Sequence, residues 1–500
     1  MRLYALALTL PAFTAGGPSF PLPMLLDDFV TELKAAAPSS LAKSFSTVPD
    51  SSPEHLAFLE QSRGSDVTFF SDDCAAQTNC GDCTKTTSHF KKPCRWCPLT
   101  ADNTCHSYGD NKNPCDTEEQ QTDPDQCAPL ATTRKPVVIL PGLTGSVLDA
   151  KLSDKQDNPS PVCYSNTDDF FTIWLSIPQM LPEVYKCTFD EWKLKYDYET
   201  AEVQDNDGVQ IQTHLGSSGY GASYAAVIGW DQIAHALLAK GYTLGTDLFS
   251  APFDFRMGLK QFMADDFPRL KQLVETAYHS SGDQPVVFAS ISYGGPFGAA
   301  FLTEFVNQQW KDKYIDSWIS LSGVFNGAPM VNRQLITGMP AYGIPWIPDV
   351  TLRDSMREWP SLAWLVPGLA EGGDDRVVYK TSQRQYTMSQ VNDLLEDAGA
   401  TAAADMIRRS ENLVTDKDPG VKVHCWYTPN IPTEFSYEGE SLEDEPKINY
   451  SGGDGTGDLH SLNRCDAWED VAVVRFDGLA HAAYMGNETV TEMVVALVSK

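Results

Sequence analysis

The spacing of apolar positions changes along the chain. From residue 136 to the end, short unbroken apolar runs alternate with stretches at helical spacing. Val137 to Leu140, Val286 to Ala289 and Val471 to Phe476 have the length of strands. Unbroken apolar runs of that length suit strands buried on both faces. Pro296 to Phe305 follows the second run at helical spacing. The alternation predicts an α/β architecture: a mainly parallel sheet covered by helices. Upstream the pattern differs. Arg2 precedes an apolar run, Leu3 to Phe13, and then the small residues Thr14 to Gly17. That order reads as a signal peptide over 1–17. The run is too short to span a bilayer, and no other stretch of about twenty apolar residues occurs. The C-terminal Val494 to Val498 is too short for a lipid-anchor signal. Leu25 to Ala37 can form an amphipathic helix, and Ser44 to Pro53 is a Ser/Pro stretch. Residues 18–70 are therefore read as a linker or propeptide.

Composition refines this picture. Hydrophobic residues are 42% of 500, enough for a large core. A net charge of −30 repels phosphates and argues against a nucleic-acid partner. It also disfavours flat electrostatic docking on anionic membranes, so any lipid contact must be hydrophobic. Eight of the twelve cysteines crowd between Cys74 and Cys127. Behind a signal peptide such a set reads as a disulfide framework for a domain too small to hold itself by burial. Cys80-x-x-Cys83 and Cys94-x-x-Cys97 also have zinc-ribbon spacing, but export favours oxidised thiols. The protein is expected to be secreted or to reside in an endomembrane lumen, the lysosome or vacuole included. Residues 71–127, with Cys94-Arg95-Trp96-Cys97, Cys105 and Cys115, resemble a plexin–semaphorin–integrin (PSI) domain. The resemblance implies a positioning module and a possible protein partner.

The chemistry lies in residues 136–500. Val137 to Leu140 runs into Pro141-Gly142-Leu143-Thr144-Gly145-Ser146, a turn able to aim a backbone N–H at an oxyanion. Val286 to Ala289 runs into Ser290-Ile291-Ser292-Tyr293-Gly294-Gly295 and then a helical stretch. A strand–turn–helix with serine at the bend is a nucleophile elbow, which needs small residues two before and two after the nucleophile. Centred on Ser292 these are Ser290 and Gly294; centred on Ser290 they would be Phe288 and Ser292. Ser292 is the candidate nucleophile, and the Tyr293 N–H the candidate oxyanion donor. In α/β hydrolases an acid and then a histidine follow the serine. Asp454 lies in a glycine-rich turn, and His481 follows the last predicted strand; His460 precedes that strand and is too close to Asp454.

Taken together, residues 137 onward resemble the lecithin–cholesterol acyltransferase family, which includes lysosomal phospholipases and phospholipid–diacylglycerol acyltransferases. The resemblance rests on Pro141 to Ala150, Asp168 to Leu175, Gly241-Tyr242, Asp247 to Arg256, Trp310 to Ile315 and Gly453 to Thr456. It implies an α/β-hydrolase fold with lid and cap insertions. It also implies the triad Ser292, Asp454 and His481, with oxyanion donors on the backbone of Leu143 and Tyr293. The family's disulfides would pair Cys163 with Cys187 and Cys425 with Cys465. The first closes a lid whose Phe170, Phe171, Trp174 and Leu175 would meet lipid. The chain departs from the family where Ile291 replaces its histidine, Ser290 its Gly or Ala, Gly452-Gly453 and Gly457 flank Asp454, and Val324-Phe325-Asn326-Gly327 replaces a Pro-Trp-Gly-Gly type turn.

The implied activity moves an acyl group from a glycerophospholipid through an acyl-serine to a sterol, another lipid alcohol or water. It needs no metal or cofactor, and its partner is a phospholipid membrane or lipoprotein surface. Asn449 and Asn487 are glycosylation sequons. Two other readings stay open: an esterase or lipase on neutral esters, and a non-catalytic interaction protein led by the PSI-like module.

Overall fold

The computed structural model describes residues 95–96, 105–106, 134–214, 220–339, 344, 346–368, 375–409 and 417–499. The segment read as a signal peptide, the 18–70 segment and most of the stretch read as a PSI-like module lie outside these. Within that module, Arg95–Trp96 pairs antiparallel with Cys105–His106.

Six parallel strands form the central sheet: β1 (Val137–Leu140), β2 (Leu248–Ser250), β3 (Val286–Ile291), β4 (Ile315–Leu321), β5 (Val423–Tyr427) and β6 (Val471–Arg475). Their order across the sheet is β2-β1-β3-β4-β5-β6. Successive side chains enter opposite faces, as strand geometry requires. Val138, Leu140, Val286, Phe288 and Trp318 join one buried cluster; Val137, Ile139, Val287, Ala289 and Ile319 join another. Helices Phe267–Ser280 and Gly294–Ala300 contribute to the first cluster, and Asp231–Ala239 and Glu488–Val498 to the second. Burial on both sides explains why the inner strands read as unbroken apolar runs.

Two insertions interrupt this plan. Between β1 and β2, Leu148–Leu152 is flanked antiparallel by Phe171–Trp174 and Val209–Thr213. Between β4 and β5 comes a cap with helices Met330–Ile336, Asp349–Met356, Pro360–Leu365, Val391–Asp397 and Thr401–Arg409. Its strand Val377–Lys380 pairs with Ile431–Glu438, which follows β5. After β2 the chain returns to the far side of β1, so the loops leaving β1 and β3 diverge. Their carboxyl ends border the crevice where open α/β sheets take ligands.

Candidate active site

Ser292 sits where β3 gives way to helix Gly294–Ala300, with φ of +57°. That backbone is unusual for a non-glycine residue and marks a tight elbow. It is held from both sides. The Ser292 N–H donates to the Leu321 carbonyl at 3.1 Å, and the Gly295 N–H to the Ser292 carbonyl at 2.9 Å. The small neighbours have physical reasons. A Cβ on Gly294 would lie 2.6 Å from both the Leu140 and Pro141 carbonyl oxygens. The Ser290 hydroxyl accepts the Trp318 indole N–H at 2.8 Å. Ile291 packs into the second buried cluster.

Tyr293 begins the helix, where the first N–H groups have no intrahelical acceptor. Its ring is buried against Phe253, Phe262 and Trp364, and its hydroxyl donates to the Met257 carbonyl at 3.0 Å. Burial pushes that phenol far above its usual range, so it stays neutral. Leu143 lies in the facing turn, closed by the Gly145 N–H donating to the Gly142 carbonyl at 3.0 Å. A Cβ on Gly142 would come within 3.0 Å of Ser292 Cβ, so this turn lies against Ser292.

The acid arrives by an excursion. Ile431–Glu438 runs out after β5, and Lys447–Gly453 returns antiparallel to end beside Asp454. Asp454 is fully buried. One carboxylate oxygen accepts the Thr456 and Gly457 N–H groups at 3.0 and 2.8 Å. The other accepts His481 Nδ1–H at 2.6 Å, and the His481 N–H donates to the Asp454 carbonyl at 2.8 Å. Burial alone would raise the Asp454 pKa; the His481 imidazole and the backbone donors outweigh it and hold the carboxyl below its usual range. A Cβ on Gly453 would meet the Gly457 carbonyl at 2.3 Å, so the tight loop accounts for glycine there. His481 opens the short helical turn His481–Gly486 after β6. Its Nε2 is buried and has no hydrogen-bond partner among the described residues. The serine–histidine link is thus open in this state, as is common before substrate tightens a site. His460 instead faces the Phe435 ring, 6.0 Å away.

Both long-range disulfides are present, with Cα separations of 5.4 Å for Cys163–Cys187 and 6.3 Å for Cys425–Cys465. The four residues expected on a lid differ in exposure. Leu175 is 42% exposed, as is its neighbour Ile177 at 44%, while Phe170 and Phe171 are partly buried. Trp174 requires a correction: it is only 4% exposed. Trp192 and Phe255 cover it at 5.0 and 6.4 Å, so it cannot anchor in lipid from this position. Its indole N–H donates to the Thr144 carbonyl at 2.8 Å. Among the sequons, Asn449 uses its amide nitrogen on Ser436 and Glu438 at 3.3 and 3.2 Å. Asn487 caps the last helix through its oxygen, accepting the Val490 N–H at 3.0 Å.

Among the described residues no cluster of three or more His, Cys, Asp or Glu is placed to hold a metal ion. No helix among them is long and apolar enough to cross a membrane.

A model of the family described as Lecithin:cholesterol acyltransferase matches residues 170–398. The lysosomal phospholipase A and acyltransferase of Bos taurus is 31% identical over 376 residues, spanning 72% of this chain and 90% of the relative. Its Homo sapiens counterpart is 31% identical over 371 residues, spanning 71% and 88%. The phosphatidylcholine-sterol acyltransferase of Mus musculus is 29% identical over 354 residues, spanning 68% and 79%.

The chain belongs to the lecithin:cholesterol acyltransferase family. Its α/β-hydrolase fold agrees with the parallel sheet expected from the apolar alternation and with the fold that the resemblance implies. One family motif gains a role that the sequence did not reveal. Arg256 of the Ala-Pro-Phe-Asp-Phe-Arg run is fully buried, pairing with Asp254 at 2.6 Å and Asp205 at 2.7 Å. It ties the first insertion to the turn carrying Phe253, whose ring stacks on Phe297 at 4.1 Å beneath the elbow. The charged letters of that motif are structural here. The signal for them was their apolar setting, since a buried arginine requires carboxylate partners.

Proposed function

We propose that this member of the lecithin:cholesterol acyltransferase family is a serine-dependent lipid acyltransferase and phospholipase, with Ser292, Asp454 and His481 as its triad. The observation that carries the reading is the conjunction of Ser292 at positive φ on a strand–helix bend with an imidazole fixed by Asp454 and open at Nε2.

Asp454 holds the His481 Nδ1–H, which leaves Nε2 as the base. Nε2 takes the Ser292 proton as the hydroxyl oxygen attacks an ester carbonyl of a glycerophospholipid. The N–H groups of Leu143 and Tyr293 hold the tetrahedral oxyanion, each worth about 3 kcal/mol. His481 then returns the proton to the departing lysophospholipid oxygen, leaving an acyl-serine. An acceptor hydroxyl enters, loses its proton to His481 and attacks the acyl carbonyl, regenerating Ser292. Water yields a fatty acid; a sterol or other lipid alcohol yields a new ester. Leu175 and Ile177 provide the apolar lipid contact that the acidic surface requires, which favours membrane or lipoprotein substrates over soluble neutral esters. The reading includes a lumenal or secreted location, and Asn487 as the better glycan acceptor because its amide nitrogen is not used by its cap.

Purified protein and the Ser292→Ala variant should be given phosphatidylcholine vesicles with and without sterol. Free fatty acid or steryl ester formed only by the wild type supports the triad, and their ratio identifies the acceptor. Equal silence of both, together with wild-type resistance to a fluorophosphonate, rejects the reading in favour of a binding protein.

A further inference from the structure

We propose that Trp174 is a positioning residue that transmits lipid contact at Leu175 and Ile177 to the oxyanion turn. The inference rests on the assignment of the Leu143 N–H as an oxyanion donor.

The turn from Gly142 to Gly145 is closed by one backbone hydrogen bond, and its third residue, Thr144, has φ of +57°. A positive φ at that position is the mark of a type II turn and is normally given to glycine or asparagine. A β-branched residue there is strained and persists only when its surroundings hold it. Two bonds from outside hold the end of this turn: the Ile228 N–H donates to the Gly145 carbonyl at 2.7 Å, and the Trp174 indole donates to the carbonyl of the strained Thr144 itself at 2.8 Å across 30 residues of sequence. If Thr144 relaxes to negative φ, the peptide joining it to Leu143 turns over. The neighbouring Leu143 N–H then loses its aim at the oxyanion.

Trp174 is itself fixed from behind. Trp192 meets its ring edge-on at 5.0 Å, and Phe189 meets Trp192 at 5.4 Å. Phe189 lies on helix Val184–Glu191, which the Cys163–Cys187 disulfide staples to the insertion. On the same strand, the Thr172 hydroxyl donates to Asp149 at 2.9 Å, and Asp149 also accepts from His214 at 2.7 Å. The strand therefore has little freedom except at its exposed end. That end is Leu175, directly bonded to Trp174, followed by Ile177. Insertion of these side chains into a lipid surface acts on Trp174 through one peptide from Leu175 and three from Ile177. The substrate interface and the oxyanion turn thus share one rigid connection.

The test replaces Trp174 with 3-benzothienylalanine, which keeps the fused ring and its packing but has sulfur in place of the N–H. Turnover of p-nitrophenyl butyrate is measured in solution and with added vesicles of non-hydrolysable diether phosphatidylcholine; melting and vesicle cosedimentation are measured in parallel. The expected result is a kcat at least ~10-fold below wild type, set against the 10²–10³-fold cost of deleting an oxyanion donor outright. KM, vesicle binding and melting midpoint stay at wild-type values. The wild-type kcat rises when vesicles are added, and that rise is absent in the variant. A wild-type kcat in the variant, a kcat loss that follows a lowered melting midpoint, or a vesicle response that survives the replacement overturns the proposal. A wild-type protein that leaves the butyrate ester untouched instead refutes the active-site assignment, which separates the two failures.

Discussion

Gly294→Ala tests how closely the elbow and the first strand must approach. The added Cβ would lie 2.6 Å from two backbone carbonyl oxygens, those of Leu140 and Pro141. Neither belongs to a flexible side chain. Ordinary contact begins near 3.4 Å, so the helix and the end of β1 must separate by roughly 0.8 Å. Leu143 follows β1 and Tyr293 starts the helix, so the same displacement opens the two halves of the oxyanion site. A misplacement of about 1 Å costs on the order of 100-fold in rate. The stability effect is smaller because two terms oppose. Overpacking costs ~1–3 kcal/mol, while replacing glycine by alanine in a helix returns up to ~1 kcal/mol. Hydrolysis of a soluble ester is therefore the sensitive assay, with guanidinium unfolding as its control. Gly486→Ala is the matched comparison: a Cβ there meets nothing within 4 Å, and unfolding should change by under ~0.5 kcal/mol. A Gly294→Ala protein with kcat within threefold of wild type would refute the reasoning.

Two further outcomes follow from buried charge. Glu434 accepts Arg333 at 2.6 and 3.1 Å and the Tyr437 hydroxyl at 2.7 Å, all buried; Glu434→Ala should cost ~3–5 kcal/mol in denaturant unfolding, and a loss under ~1 kcal/mol would contradict the pair's role. Burial raises Asp266 to about 7 despite Arg269 at 2.5 Å. Between the ordinary carboxyl range and about 7 the folded state holds the extra proton, so this group adds stability as pH falls through that window and loses it as pH rises. The difference in unfolding free energy between wild type and Asp266→Asn should therefore shift in favour of wild type from pH 8 to pH 5, and a flat difference would reject the assignment.

The parts of this site that are local in sequence were legible from it. The elbow spans a strand, a bend and a helix in about twenty residues, and each constraint on it comes from bonded or near-bonded neighbours. Asp454 and His481 were singled out by chain order and by position relative to the last strand, and the structure joins them at 2.6 Å. Trp174 was misread because apolar character does not give direction. Phe171, Ile173, Trp174 and Leu175 look alike as a hydrophobic run, and which of them faces out depends on Trp192 and Phe255, 18 and 81 residues away. The resemblance implied a cap, but its strand pairing was illegible for a similar reason. Its strand Val377–Lys380 finds a partner in Ile431–Glu438, beyond its own hairpin strand Gln385–Thr387, two α-helices and a core strand.

That pairing explains how the acid loop is held. Asp454 does not sit at the end of β5; it ends the antiparallel excursion whose first strand joins the cap sheet. Ion pairs secure both ends of the arrangement. Arg333 of the cap helix Met330–Ile336 binds Glu434 on the outgoing strand. Arg376, just before the cap strand, binds Asp458 at 2.9 Å, four residues past Asp454. Asp458 in turn precedes helix Leu459–Leu462, whose Ser461 hydroxyl accepts the Asn326 N–H at 2.9 Å in the loop after β4. Val324 of that loop touches the space a Cβ on Gly457 would fill, at 3.0 Å. The two departures from the family pattern, glycine at 457 and Val324 to Gly327, are therefore in contact. A larger residue at 457 would first have to displace the Leu462 and Val324 side chains, at 2.9 and 3.0 Å, so the turn after β4 and the loop after Asp454 constrain one another through side-chain packing.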